Sequence, residues 1–361
     1  MFRQHALSRA VPAAVLAAVL SCVPPKPPPQ QLRKAPGPYA AIDAHALSAP
    51  AAAAGSVHKL ARYLVRPARN EREKARAIFR WICANVDYNV AGYETGHFGA
   101  EDPLSVMRTH EAVCEGFSNL FQALAEAAGL QAVTIHGYAK GLGYEAGDDF
   151  HGPTNHAWNA VRIDGAWRLV DCTWGAGAVN DQGKYERRFE PWYFLTPPEQ
   201  FLYTHWPKES RWQLVKHPIS LARFQRLPYL KPAFFKEGLQ LLNHRTDVIR
   251  AEGPLIEIGL EGPGETLILA RLMQRGEKKP GSLVQVERQD KKIGIKVLTP
   301  HPGVYLLRIY ATHKGGPTRG KMRIYDWALD YRIVVRRGAP GKTVEEYLRK
   351  KGRRVKRPAQ N

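Results

Sequence analysis

Cys114, His156 and Asp171 are the residues whose types and surroundings could do chemistry together. A thiol attacks as its thiolate, an imidazole within hydrogen-bond reach can hold its proton, and a carboxylate on the second ring nitrogen fixes the tautomer. In VCEGFSNLFQALAEAAGL the cysteine stands at or just after a helix start, where the positive end of the helix dipole favours thiolate. In NHAWNAVRIDGAWRLVDCTWGAG, Asn155 to Gly177, the other two residues open and close a hairpin. Asp164-Gly165 is a two-residue turn signal, so the strands run antiparallel and bring His156 and Asp171 opposite or nearly so. Val161, Ile163, Trp167, Leu169 and Val170 predict a buried sheet, in which an unpaired Asp171 would be costly. Taken singly, each residue has a plainer role: a small core thiol, a histidine packed beside Trp158, a turn cap.

The elements that would position them follow from period and punctuation. SVHKLARYLVRP is a short amphipathic helix capped by Ser56, and NEREKARAIFRWICANVDYN is a longer one capped by Asn70. Trp81 and Cys83 lie within the second helix as packing residues. The helix near Cys114 turns Leu120, Leu124 and Ala128 to its core and stops at Gly129. The period then switches to two. LQAVTIHGYAKG reads as a strand, a glycine-rich loop and the hairpin follow, and FEPWYFLT adds another strand. Residues 39–215 are thus an α+β domain with helices before a mostly antiparallel sheet. A connector rich in proline and aromatics spans 216–245. Short strands without helices then recur over 246–336 (VIRAEG, PLIEIGLEG, ETLILARLMQ, SLVQVERQ, KIGIKVLTP, GVYLLRIYATH, DWALDYRIVV), the pattern of an immunoglobulin-like sandwich without a Cys–Trp–Cys signature.

The ends carry other signals. Residues 1–22 have Arg3 and Arg9 before an apolar run from Val11 to Leu20, which is too short to span a bilayer and suited to an export signal. Val19-Leu20-Ser21-Cys22 resembles a bacterial lipoprotein signal with Cys22 as the lipidated residue, and the proline-rich stretch 23–38 suits an extended tether. This predicts an exported, periplasmic, membrane-anchored protein. The 361 residues carry a formal charge of +20, with 44% hydrophobic and 24% charged residues, so the chain is globular and strongly basic. The basic tail, 337–361, concentrates Arg349, Lys350, Lys351, Arg353, Arg354, Lys356 and Arg357 and is expected to be a solvated end. Nucleic acid is a poor partner for an exported chain. Four cysteines without a CxxC pair or zinc spacing argue against a disulfide scaffold or a structural metal site. No calcium loop, P-loop or dinucleotide fingerprint occurs, so no metal or cofactor is expected.

The cysteine, histidine and aspartate segments quoted above, with GYAKG, resemble the three boxes of the transglutaminase-like superfamily. TWGAG, WYFLT and FLYTHWPKESRWQLV are similar to its kyphoscoliosis-peptidase group, in which a β-sandwich follows the catalytic domain. The resemblance implies a papain-like α+β fold with Cys114 as nucleophile, His156 as general base and acid, and Asp171 as the orienting group. It implies action on amide bonds of a peptide or protein, possible substrates including cell-wall peptide, by a peptidase, amidase or transglutaminase. The alternative is a catalytically silent scaffold or an adhesion and assembly module, since some members have lost the triad. The oxyanion hole would use the Cys114 N–H and an upstream donor, Tyr88 first and Trp81 second. Trp158 and Trp174 are candidates to wall the cleft, with packing as their competing role, and Cys172 is expected in the core.

Overall fold

The computed structural model describes residues 37–99, 101–180, 182–274, 283–339 and 343–350. The export and lipidation signal with Cys22, nearly all of the proline-rich stretch, and residues 351–361 of the basic tail lie outside the described residues.

Two helices ahead of the sheet start where the expected capping residues stand. In α1 (Val57–Leu64) the Ser56 hydroxyl accepts from Lys59 N–H at 3.2 Å, and in α2 (Glu71–Asn85) Asn70 Oδ1 accepts from Glu73 N–H at 2.9 Å. The buried residues of α2 include Ala75, Ile78, Phe79 and Ile82, and Trp81 and Cys83 are also core. Helix α3 (Cys114–Ala127) buries Phe117, Leu120, Phe121 and Leu124, and Gly129 at φ +77° carries the chain out of it. These side chains form one core with the sheet behind them. Each fully buried Leu or Phe contributes about 1.5–3 kcal/mol relative to exposure.

That sheet has five antiparallel strands: β1 (Ala132–Ala139), β2 (His156–Ile163), β3 (Ala166–Val170), β4 (Phe194–Thr196) and β5 (His205–Pro207), in the order β4-β3-β2-β1-β5. Asp164 and Gly165 take φ +52° and +78°, the left-handed pair that a two-residue hairpin turn requires. Between β3 and β4 lies a short helix, α4 (Cys172–Ala176). The run FEPWYFLT is mostly not a strand: Pro191–Tyr193 form a 3₁₀ turn capped by Glu190, which leaves three residues for β4. Asn159 on β2 donates to Ser118 C=O of α3 at 3.0 Å, which ties the histidine strand to the cysteine helix. Gly137, opposite His156, allows a close approach: a Cβ there would lie 2.2 Å from Trp206 O and 2.4 Å from the Trp158 ring.

The second core belongs to a sandwich. One sheet joins β6 (Tyr229–Leu230), β13 (Asp326–Val335), β12 (Gly303–His313) and β9 (Thr266–Gln274) in that order, with β7 (Val248–Ala251) parallel to β13. The other joins Gln240–Leu241, β8 (Leu255–Glu261), β11 (Lys292–Leu298) and β10 (Val284–Gln289). Ile258, Leu260, Ile295, Leu307 and Tyr331 fill the space between the sheets. Two expectations change here. The 216–245 connector supplies sandwich strands at Tyr229–Leu230 and Gln240–Leu241, because their backbones pair with the middle of β13 and the end of β8. Within the basic tail, Val344–Lys350 is a helix, with Val344 and Leu348 buried beside Leu298.

Candidate active site

Cys114 is the first residue of α3 and is half-buried. Val113 offers no side-chain cap, so the first backbone N–H groups of the helix are left for a ligand or solvent. His156 opens β2 and is held from behind by Asn155, whose amide accepts from Ala139 N–H at 2.7 Å and donates to Ala139 C=O at 3.1 Å. His156 Nε2 lies 2.9 Å from Asp171 Oδ2, and Cys114 is close enough to the ring to help raise its pKa. With Nε2 engaged, Nδ1 is the nitrogen that can serve the thiol. The hairpin therefore brings the three residues together. Asn159 pairs with Val170, which sets Asp171 level with Trp158, so Asp171 meets His156 along a diagonal and not straight across.

Asp171 is fully buried, and both of its carboxylate oxygens accept hydrogen bonds. It caps α4, with Oδ1 accepting from Trp174 N–H at 3.0 Å. Its Oδ2 also accepts from a residue absent from the sequence-based triad: His205 Nε2 at 3.1 Å. His205 heads β5, the edge strand beside β1, and its Nδ1 faces Thr204 Oγ1 at 2.9 Å. Phe201 stacks on the ring at 3.9 Å. The signal for it was the THW inside FLYTHWPKESRWQLV, a word that marked the group without marking a contact.

The two histidines differ in charge. Burial alone would lower the pKa of His156, but the Asp171 charge, its hydrogen bond and the neighbouring Cys114 overcome this and push it up to about 10. Burial pushes His205 down to about 4 despite Asp171, so it is a neutral donor at working pH. Burial opposes ionisation of Asp171, yet the two rings, His156 above all, hold its carboxyl well below the usual range. The site therefore carries one imidazolium, one carboxylate and one neutral imidazole.

The donor atoms of His156, Asp171 and His205 all lie within 4.8 Å of one another, close enough to consider a metal. Both rings, however, address a single carboxylate oxygen at hydrogen-bond distance, as two donors around one acceptor. The cluster is better described as a hydrogen-bonded device.

The remaining expected residues separate by burial. Tyr88 sits half-buried on a two-residue bridge with Ala112, two residues before Cys114, and lines the cleft. Burial, then the nearby Cys114, raises its phenol far above the ordinary value, so it stays an O–H donor. Trp81 is core and does not line the cleft. Trp174 walls the cleft, with its ring 5.4 Å from that of His156. Trp158 does not: it is 1% exposed, because the chain at Phe201 and His205 crosses that face of β2 and covers it. Cys172 is core, though it begins α4 where a strand was expected, and Cys83 Sγ donates to its carbonyl at 3.5 Å. Cys83, Cys114 and Cys172 are all free thiols.

Residues 58–172 match the family described as the transglutaminase-like superfamily, and residues 221–341 match the KY-like, immunoglobulin-like domain. The chain is 34% identical to the kyphoscoliosis peptidase of Mus musculus over 278 residues, 77% of this chain and 40% of that one. It is 34% identical to the Homo sapiens protein of that name over 271 residues, 75% of this chain and 39% of that one. Hillarin of Drosophila melanogaster is 37% identical over 194 residues, 50% of this chain and 23% of its own. The chain thus spans about two-fifths of the length of the kyphoscoliosis peptidases it matches, 40% and 39%. By its core domain and the domain that follows, the chain belongs to the transglutaminase-like superfamily and carries a KY-like, immunoglobulin-like domain.

Proposed function

We propose that this chain is a cysteine-triad enzyme that acts on amide bonds through a thioester on Cys114. The observation that carries the reading is the His156 ring, engaged at Nε2 by Asp171 at 2.9 Å, with Cys114 at the start of the facing helix and close enough to help raise its pKa. His156 holds the thiol's proton as its imidazolium, Sγ attacks the carbonyl carbon as thiolate, and the oxyanion is received by the Cys114 N–H and the Tyr88 hydroxyl. His156 then returns the proton to the departing amine as the C–N bond breaks and the thioester forms. Water resolves the thioester in a peptidase or amidase; a lysine amine does so in a cross-linker. In either case His156 takes the incoming nucleophile's proton and gives it to the leaving thiolate. The lipoprotein-type segment ending at Cys22 supports a peptide or protein substrate in the cell envelope.

A defined peptide mixture incubated with wild type and with Cys114→Ala, then read by mass spectrometry, tests this. New termini or new isopeptide bonds should form only with the wild type. Equal products from both chains, or none from either, would count against the reading.

A further inference from the structure

The cleft beside His156 is completed by the sandwich. It encloses about 660 Å³, and Trp174 and Tyr193 face Tyr229, Lys231, Arg308 and Trp327 across it. Besides His156, two arginines and two lysines line it: Arg188, Arg308, Lys231 and Lys236. Three of them are paired at hydrogen-bond distance, Arg188 with Asp326 at 3.2 Å, Lys236 with Glu190 at 3.0 Å and Arg308 with Asp330 at 3.0 Å. Lys231 is different. Among the described residues no carboxylate comes within 4.0 Å of its ammonium.

What surrounds that ammonium is aromatic. Nζ donates one hydrogen bond, to the Tyr229 hydroxyl at 3.1 Å, and stands 4.8 Å from the Tyr229 ring, 4.8 Å from Trp327 and 5.2 Å from Trp174. Ring faces attract a cation but do not replace a charged acceptor, and two of the three N–H groups have no protein oxygen. Asp330, whose charge also reaches Lys231, already receives three hydrogen bonds from Arg308. The Arg308–Asp330–Lys231 group thus presents one uncompensated positive charge to the cleft. Trp174 connects it to the chemistry, because the same indole packs against His156.

We propose that Lys231 binds a carboxylate of the substrate, so that the cleft selects a peptide bearing an acidic side chain or a free C-terminus close to the reacting amide. The proposal rests on Cys114 being the nucleophile. Burial pushes the Lys231 pKa down to about 8, the state of a desolvated cation awaiting a counter-charge. The sandwich becomes a specificity element, since Tyr229 lies in its edge strand, Lys231 follows that strand directly and Trp327 lies in β13.

Matched thiol-reactive probes separate this from the underlying reading. N-iodoacetyl-Gly-Gly is compared with its C-terminal amide, and N-iodoacetyl-Gly-Glu-amide with the Gln counterpart, by the rate of Cys114 alkylation in the full chain. Wild type should prefer at least one carboxylate probe over its neutral partner by about tenfold or more, as a charge-assisted hydrogen bond would give. Which pair shows the preference tells a C-terminus from a side chain. Lys231→Met should erase the preference while leaving the neutral rates unchanged, which also shows that the variant is folded, and Lys231→Arg should keep it. Equal rates within both pairs in wild type overturn the proposal. So does a preference that survives in Lys231→Met, which would belong to the general positive charge of the chain. Neutral probes labelling wild-type Cys114 no faster than a free thiol would instead defeat the nucleophile reading beneath it.

Discussion

Asp171→Asn should leave the fold standing and reverse the chemistry. In the native site Oδ2 accepts from His156 Nε2 at 2.9 Å and His205 Nε2 at 3.1 Å, while Oδ1 accepts from Trp174 N–H at 3.0 Å. An asparagine that keeps Oδ1 on Trp174 places its NH₂ where Oδ2 stood, with two hydrogens for two imidazoles. Both rings must then offer a lone pair at Nε2 and carry their hydrogen on Nδ1. His205 accommodates the change, because Thr204 Oγ1 at 2.9 Å can accept and turn its own hydrogen to Phe201 C=O at 3.3 Å. His156 does not. Its Nδ1–H now meets Cys114 and no lone pair remains for the thiol proton. The hydrogen bonds are conserved in number, so the stability loss is that of exchanging charged for neutral bonds, about 1–3 kcal/mol. The rate loss is far larger, about 10⁴-fold or about 5 kcal/mol in the barrier, as a reversed tautomer costs in a serine triad. Stopped-flow acylation of Cys114 by p-nitrophenyl acetate, with thermal unfolding measured alongside, reads both quantities. Asp171→Ala is the contrast: it strips the same three bonds and should lose about 3–5 kcal/mol of stability as well. An Asn variant that acylates within tenfold of wild type would refute the assignment of Asp171 as the tautomer-setting group.

Three further outcomes are expected. Tyr88→Phe should slow acylation by about 10²–10³-fold, as loss of one oxyanion donor does, without changing alkylation of Cys114 by iodoacetamide, which forms no oxyanion; full acylation would move that role elsewhere. His205→Leu should cost about 1–3 kcal/mol in denaturant unfolding by leaving Asp171 short of a donor, and His205→Gln should recover most of it. The His156 pKa of about 10, raised by Asp171 against the effect of burial, contributes stability that is complete below about pH 6.5 and is lost as the pH climbs through 10. The melting temperature should therefore decline across the alkaline range in wild type and decline less in His156→Gln; parallel curves would contradict the ion pair.

Much of this site was readable because its signals are local. The Asp164-Gly165 turn specifies two left-handed residues, and the alternation on either side sets a register that carries Asp171 to within reach of His156. Cys114 announces itself by the helix that starts there. The seven sandwich strands expected from the sequence each have their own turn signals. What was hidden depends on chain segments far apart. Strand β2 is buried from His156 through Val161 on both faces, so alternation could not show that Trp158 lies beneath Phe201 while His156 meets the cleft. His205 reaches Asp171 across 34 positions through the pairing of β5 with β1, which no spacing rule describes. Likewise, Lys231 looks like an ordinary connector lysine until β6 pairs with β13 and sets it against Trp174. FEPWYFLT has strand-like composition, yet Pro191 supplies no N–H and Glu190 caps a turn, so tertiary position overrode β propensity.

The most direct test of the central claim is to trap the acyl-enzyme. Wild type mixed with p-nitrophenyl acetate, quenched in acid and digested for mass spectrometry, should carry an acetyl group on Cys114 that hydroxylamine removes. Cys114→Ala should carry none there, and His156→Ala should acylate far more slowly. Acetylation spread evenly over Cys83, Cys114 and Cys172, or equal on Cys114 with and without His156, would contradict a thioester mechanism driven by this triad.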